Sequence, residues 1–147
     1  MSYGTRRLLI PAVIFLHGCG GDQPLQSTDV NRVPVSGRVV AGRQPVPGAI
    51  VTLQPKFEWN PDLPKPKAVT EADGSFEIGT VMTGDGAPPG EYLVSIASPE
   101  AAKGMFLDPQ FEDPAKSGLR ANIAGKPTKL PDFVVKKGSG TRSDAVK

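Results

Sequence analysis

The 147-residue chain carries 17 basic against 15 acidic side chains, a formal net charge of +2, too small an excess to favour a nucleic-acid partner. One histidine and one cysteine exclude a disulfide framework and leave little for a zinc or copper site. Sixteen prolines and 17 glycines exclude long helices.

The first eighteen residues are laid out as an export signal. Arg6 and Arg7 form a short positive region, and an uninterrupted apolar run follows from Leu8 to Leu16. That run suits a secretory hydrophobic region and falls well short of the about 20 residues a bilayer span needs. Leu16-His17-Gly18-Cys19 then resembles the lipobox of bacterial lipoproteins, with an apolar residue at −3, a small one at −1 and cysteine at +1. The resemblance implies lipidation of the Cys19 thiol and cleavage between Gly18 and Cys19, with Leu16 and Gly18 read by the peptidase. His17 departs from the small or modestly polar residue that the family more often has at −2. The alternatives are an ordinary signal peptide that happens to end in a cysteine, or a buried N-terminal helix.

On the lipoprotein reading His17 is discarded and 129 residues (147 minus 18) remain, enough to bury a core without disulfides. Losing Arg6 and Arg7, and no acid, leaves 15 basic against 15 acidic residues. The apparent basicity belongs to the signal, and no nucleic-acid partner is expected.

Residues 19–34 are mostly polar and read as a flexible tether, or alternatively as a first edge strand. Residues 35–136 form one domain with period-two patterning, and residues 137–147 form a Gly/Ser/charged tail. Val35–Ala41 is expected as a strand, residues 42–48 as a turn, and residues 49–54 as a strand with Ala49, Val51 and Leu53 on one face. Residues 68–70 and 75–78 suggest a hairpin across Ala72-Asp73-Gly74, where Asp-Gly suits a turn needing positive φ. Residues 91–97 are the most regular strand, with Tyr92, Val94 and Ile96 on one face, and late strands are expected near 119–123 and 133–135. At most a helical turn fits around residues 99–103. About seven short strands in a domain of this size predict an all-β antiparallel sandwich.

The stretch "VSGRVVAGRQPVPGAIVTLQP" resembles the opening of carboxypeptidase-regulatory-like domains, which are transthyretin-like β-sandwiches. Gly37, Val39, Gly42, Gly48, Ala49 and Val51 meet the family pattern, with the proline one residue late at Pro45. Thr70, Asp73, Gly74 and Phe76 match its next motif, and Pro88, Gly90, Tyr92 and Val94 the third. The match covers roughly residues 35–97, and "GTVMTGDGAPPGEYLVSI" with the stretch after it is similar to a group of small bacterial lipoproteins of unassigned activity. The resemblance implies the fold and almost nothing about a ligand. Phe76, Tyr92 and Val94 are expected in the core, and the Tyr92 hydroxyl is expected to reach a backbone group.

Little chemistry remains in the mature chain. Without a histidine it lacks the usual general base for nucleophilic catalysis, and no cofactor or metal site is expected. Asp73-Gly74 and Asp85-Gly86 lack the acid density of a calcium loop, and no lysine follows Gly84-Asp85-Gly86 as a phosphate loop requires. The loops are the better candidates for a functional surface. Residues 55–67 hold Phe57 and Trp59, and residues 99–117 hold Met105, Phe106, Leu107 and Phe111. These aromatics either contact a ligand or fold back over the open ends of the sandwich.

The expected function is therefore a non-catalytic, lipid-anchored module for binding or assembly in the cell envelope. Its partners would be the membrane, through Cys19, and envelope proteins or glycans. Gly20 and Gly21 lack the acidic +2 residue linked to inner-membrane retention, which favours the outer membrane. The alternative is a carbohydrate- or peptide-recognition module using Phe57 and Trp59.

Overall fold

Valines alternating with small or polar residues make Val35–Ala41 a strand, β1. The computed structural model describes residues 31–98 and 106–139. The expected signal, the tether up to residue 30, the helical turn around 99–103 and the tail from 140 lie outside the described residues.

Both sides of β1 are occupied. Its odd-numbered backbone groups face one way: Val39 N donates to Gly74 O at 2.8 Å, and Val39 O accepts from Val46 N at 3.1 Å. That side holds β2 (Gln44–Pro45) and β5 (Ser75–Glu77), both antiparallel to β1. Even-numbered groups face the other way, with Ser36 O accepting from Leu130 N at 2.8 Å. Along that side lie β8 (Thr128–Lys129) and β9 (Phe133–Val135), both parallel to β1. The antiparallel expectation therefore holds except at these two pairings, because the chain re-enters from the opposite end after a long crossover.

The second sheet is antiparallel throughout, in the order β4-β3-β6-β7, from β3 (Ile50–Pro55), β4 (Lys67–Val69), β6 (Gly90–Ala97) and β7 (Arg120–Ile123). Strands β3 and β6 pair from Ile50 opposite Ala97 to Pro55 opposite Tyr92. Their inward faces, Val51 and Leu53 with Tyr92, Val94 and Ile96, are fully buried. Val35, Val39, Phe76, Phe133 and Val135 come from the first sheet, and Phe76 stacks on Phe133 with ring centroids 6.0 Å apart. Each such side chain contributes about 1.5–3 kcal/mol by leaving water. The two sheets packed through this layer make the domain a β-sandwich.

One local expectation is corrected. The arms on either side of Ala72-Asp73-Gly74 do not pair as a hairpin; β4 joins β3 in one sheet and β5 joins β1 in the other. Gly74 does adopt the positive φ expected of it, at 78°. Thr70 explains the split. Its N–H donates to Ala49 O, its C=O accepts from Gly48 N, and its buried hydroxyl accepts from Ala49 N and donates to Val46 O. These bonds draw the first arm onto β3, while Val35 O and Val39 N hold the second arm on β1 through Ile78 N and Gly74 O. Between them remain the turn bond from Glu71 N to Ser75 O at 2.7 Å and an isolated bridge between Lys67 and Gly79.

Packing extends slightly past residues 35–136. Val33 is buried and bridges Ala87, and Leu107 bridges Lys137. A short 3-10 turn at Pro109–Glu112, capped by Asp108, buries Phe111. Among the described residues, no helix is long and apolar enough to cross a membrane.

Candidate functional site

The loop leaving β3 carries both aromatics singled out in the sequence, and the chain folds them back. Gly90, at the start of β6, has φ 149° and lies under the Phe57 ring. Phe57 meets Tyr92 edge to face, centroids 5.3 Å apart, and Trp59 in the same manner at 6.1 Å. Trp59 is half-buried, and its Nε1 donates to Leu63 O at 3.0 Å, closing the loop on itself. Lys56 pairs with Glu91 at 3.2 Å across the same strands.

Beneath this cover the Tyr92 hydroxyl donates to Pro88 O at 2.8 Å, as expected. Burial raises its pKa far above the ordinary phenol range. The aromatic contacts are those of a lid on the end of the sandwich, with Phe57 still 38% exposed on its outer side. Phe111 is buried in the core and Phe106 is half-buried. Met105 and the processing residues Leu16, Gly18 and Cys19 lie outside the described residues.

A larger feature was not read from the sequence. Where β4 and β5 diverge to opposite sheets they leave a depression of about 860 Å³, lined among others by Ala68, Val69, Phe76, Glu77, Val81 and Met82. The register directs the backbone N–H and C=O of Val69 away from β3, because Pro66 and Thr70 on either side make the bonds to that strand. By the same alternation those of Glu77 point away from β1. Both walls of the wedge are thus strand edges. Val69 is 60% exposed, Val81 49% and Met82 69%. The available signal was the pair Val81-Met82 set between glycines in a polar turn, too short for any periodicity to flag.

That turn is firmly held. Asp85 accepts from Thr80 N at 2.6 Å and from Val81 N and Met82 N at 3.1 Å each, and it pairs with Arg32 at 3.2 Å. Thr80 Oγ1 donates to Gly86 O at 2.7 Å. Desolvation pushes the Asp85 pKa up, but the three amides and Arg32 outweigh it and leave it lowered. Asp73 is likewise lowered, by Ser75, and Asp113 by Ala115 and Lys116. Each of these carboxylates is engaged in its own turn. Among the described residues, no three His, Cys, Asp or Glu side chains gather as a metal site would require.

A smaller cleft of about 370 Å³ lies beside β7, where Lys56, Arg120 and Lys129 face Glu91 and Asn122.

No protein-family model matches the chain. No curated protein matches it in sequence. Among solved structures it is similar to a DUF3823 family protein from Parabacteroides merdae, at 13% identity and a TM-score of 0.44. That match covers 74% of this chain and 48% of the other, so this chain spans about half the length of its structural neighbour.

Proposed function

We propose that the protein is a non-catalytic, lipid-anchored β-sandwich module of the cell envelope that binds or assembles with a partner at the wedge between β4 and β5. The observation that carries this reading is the wedge itself, with two strand edges and the exposed Val69 on one of them. It is supported by the way Asp73, Asp85 and Asp113 are each occupied with turn amides rather than converging on a cleft. The lipobox-like Leu16-His17-Gly18-Cys19 supports export and anchoring, and Gly20-Gly21 supports the outer membrane. The motifs of residues 35–97 support a carboxypeptidase-regulatory-like domain.

Two experiments test it. Metabolic labelling with a clickable palmitate is expected to mark the wild type and not Cys19→Ala; an unlabelled wild type ends the anchoring reading. A pull-down from envelope extract with residues 20–147 is expected to retain proteins that Val69→Asp loses at unchanged melting temperature. Identical recovery by both forms removes the wedge as the binding site.

The accessible outer side of Phe57 sustains the alternative, recognition of a carbohydrate or peptide by Phe57 and Trp59. Loss of glycan binding in Trp59→Ala without loss of stability supports that reading. A stability loss with no binding to lose supports the lid.

A further inference from the structure

From the bonds around Val33 and the exposure of Val81 and Met82, we infer that the turn at residues 79–86 is a membrane-contacting tip, laid against the bilayer that holds the anchor. This rests on the lipid-anchored reading above. The chain enters the domain at this turn: Val33 N donates to Ala87 O at 3.0 Å, and Ala87 N returns a bond to Val33 O at 3.1 Å. Arg32 is joined to Asp85 within the turn. From Cys19 to Asn31 the chain is twelve residues long, a reach of at most about 40 Å. The end of the sandwich tied to the anchor is therefore the end that carries Val81 and Met82.

The tip is built as a rigid presenter. A mobile loop would turn Val81 and Met82 inward to escape water, but the Asp85 carboxylate holds Thr80, Val81 and Met82 by their amides. Thr80 Oγ1 ties the turn to Gly86. With the amides of Thr80, Val81 and Met82 bonded in this way, 49% of Val81 and 69% of Met82 remain in solvent. Apolar side chains whose own amides are already bonded can enter the headgroup and acyl boundary at a lower desolvation cost. The occupant of this tip is a lipid surface, since no second element of the described chain covers it and the anchor brings a bilayer to it.

The test uses the full lipidated chain in vesicles of phosphatidylethanolamine and phosphatidylglycerol. With Cys19 capped by lipid, a cysteine placed at Met82→Cys, or separately at Val81→Cys, is the sole free thiol for a nitroxide label. Val134→Cys is the control: it is exposed and sits opposite Val40, five residues along β1 from Val35 and so about 17 Å farther from the entry point. After flotation, labels at 81 and 82 are expected to favour collisions with oxygen over a water-soluble nickel complex several-fold more than the label at 134. Vesicle-bound protein whose three labels behave alike overturns the inference and leaves the anchoring reading intact. Protein that does not float with vesicles, and carries label at Cys19, overturns both.

Discussion

The ring of Phe57 occupies the space that a β-carbon on Gly90 would fill, with Cδ1 2.8 Å from that position. Gly90 is also held at φ 149°, a region essentially closed to other residues. Gly90→Ala is therefore expected to cost about 1–3 kcal/mol from backbone strain, with displacement of Phe57 in addition. Denaturant unfolding followed by Trp59 fluorescence reads both effects. A variant with wild-type stability and an unshifted native spectrum would mean that Phe57 is not seated on Gly90.

The Tyr92 hydroxyl supports the same end from beneath. Tyr92→Phe removes its bond to Pro88 O and is expected to cost about 1 kcal/mol. Because the folded-state pKa is raised above the unfolded value, the stabilisation is complete below the ordinary tyrosine value and is lost progressively as pH rises from there through the folded-state pKa. Tyr3 and Tyr92 are the two tyrosines of the chain, so in residues 20–147 phenolate absorbance reports Tyr92 alone. Ionisation is expected only together with unfolding, and a reversible native titration near pH 10 would contradict this placement.

Asp85 braces the tip, and its removal is expected to loosen it. Asp85→Ala leaves three amides without their acceptor and is expected to cost about 2 kcal/mol. The lowered pKa gives a definite sign: the stabilisation is present above the ordinary aspartate value and is lost as pH falls through the folded-state pKa. Stability of the wild type should thus decline below about pH 4, and the decline should be shallower in Asp85→Ala. Equal slopes would remove Asp85 as the acid-sensitive group.

Thr70 fixes which sheet β4 joins. Thr70→Val keeps its shape but leaves Ala49 N and Val46 O unbonded by a hydroxyl, at an expected cost of about 2–3 kcal/mol. Thr70→Ser is expected to recover most of that. Equilibrium unfolding of the pair distinguishes the hydrogen bonds from the methyl group, since a role in packing alone would make serine the worse replacement.

Elements with a full alternation were legible from residues alone. Val51 and Leu53 opposite Val94 and Ile96 advertise a buried face through period two, Gly90 marked the strand start, and the expected burial of Tyr92 pointed to a hydroxyl bond to backbone without naming Pro88. What failed was pairing between segments. Residues 67–79 look like a hairpin locally, and nothing in their own pattern says that Thr70 is bound by the turn at 46–49. Strand β8 has two residues between Pro127 and Pro131, too few for any period. The wedge was invisible for the same reason: it exists because two adjacent strands part company, which is a relation between sheets and not a property of either stretch. The loop aromatics could be found by composition, but their lid geometry depends on Gly90, more than thirty positions away.

Strand β1 has a consequence for when the chain can fold. Its first side can be filled by segments close behind it, but its second side waits for β8 and β9, which follow Val39 by about ninety residues in the sequence. Until those last strands arrive, the central strand has bare amides along one flank and the nascent domain cannot close cooperatively. Closure that depends on such distant pairings is slow.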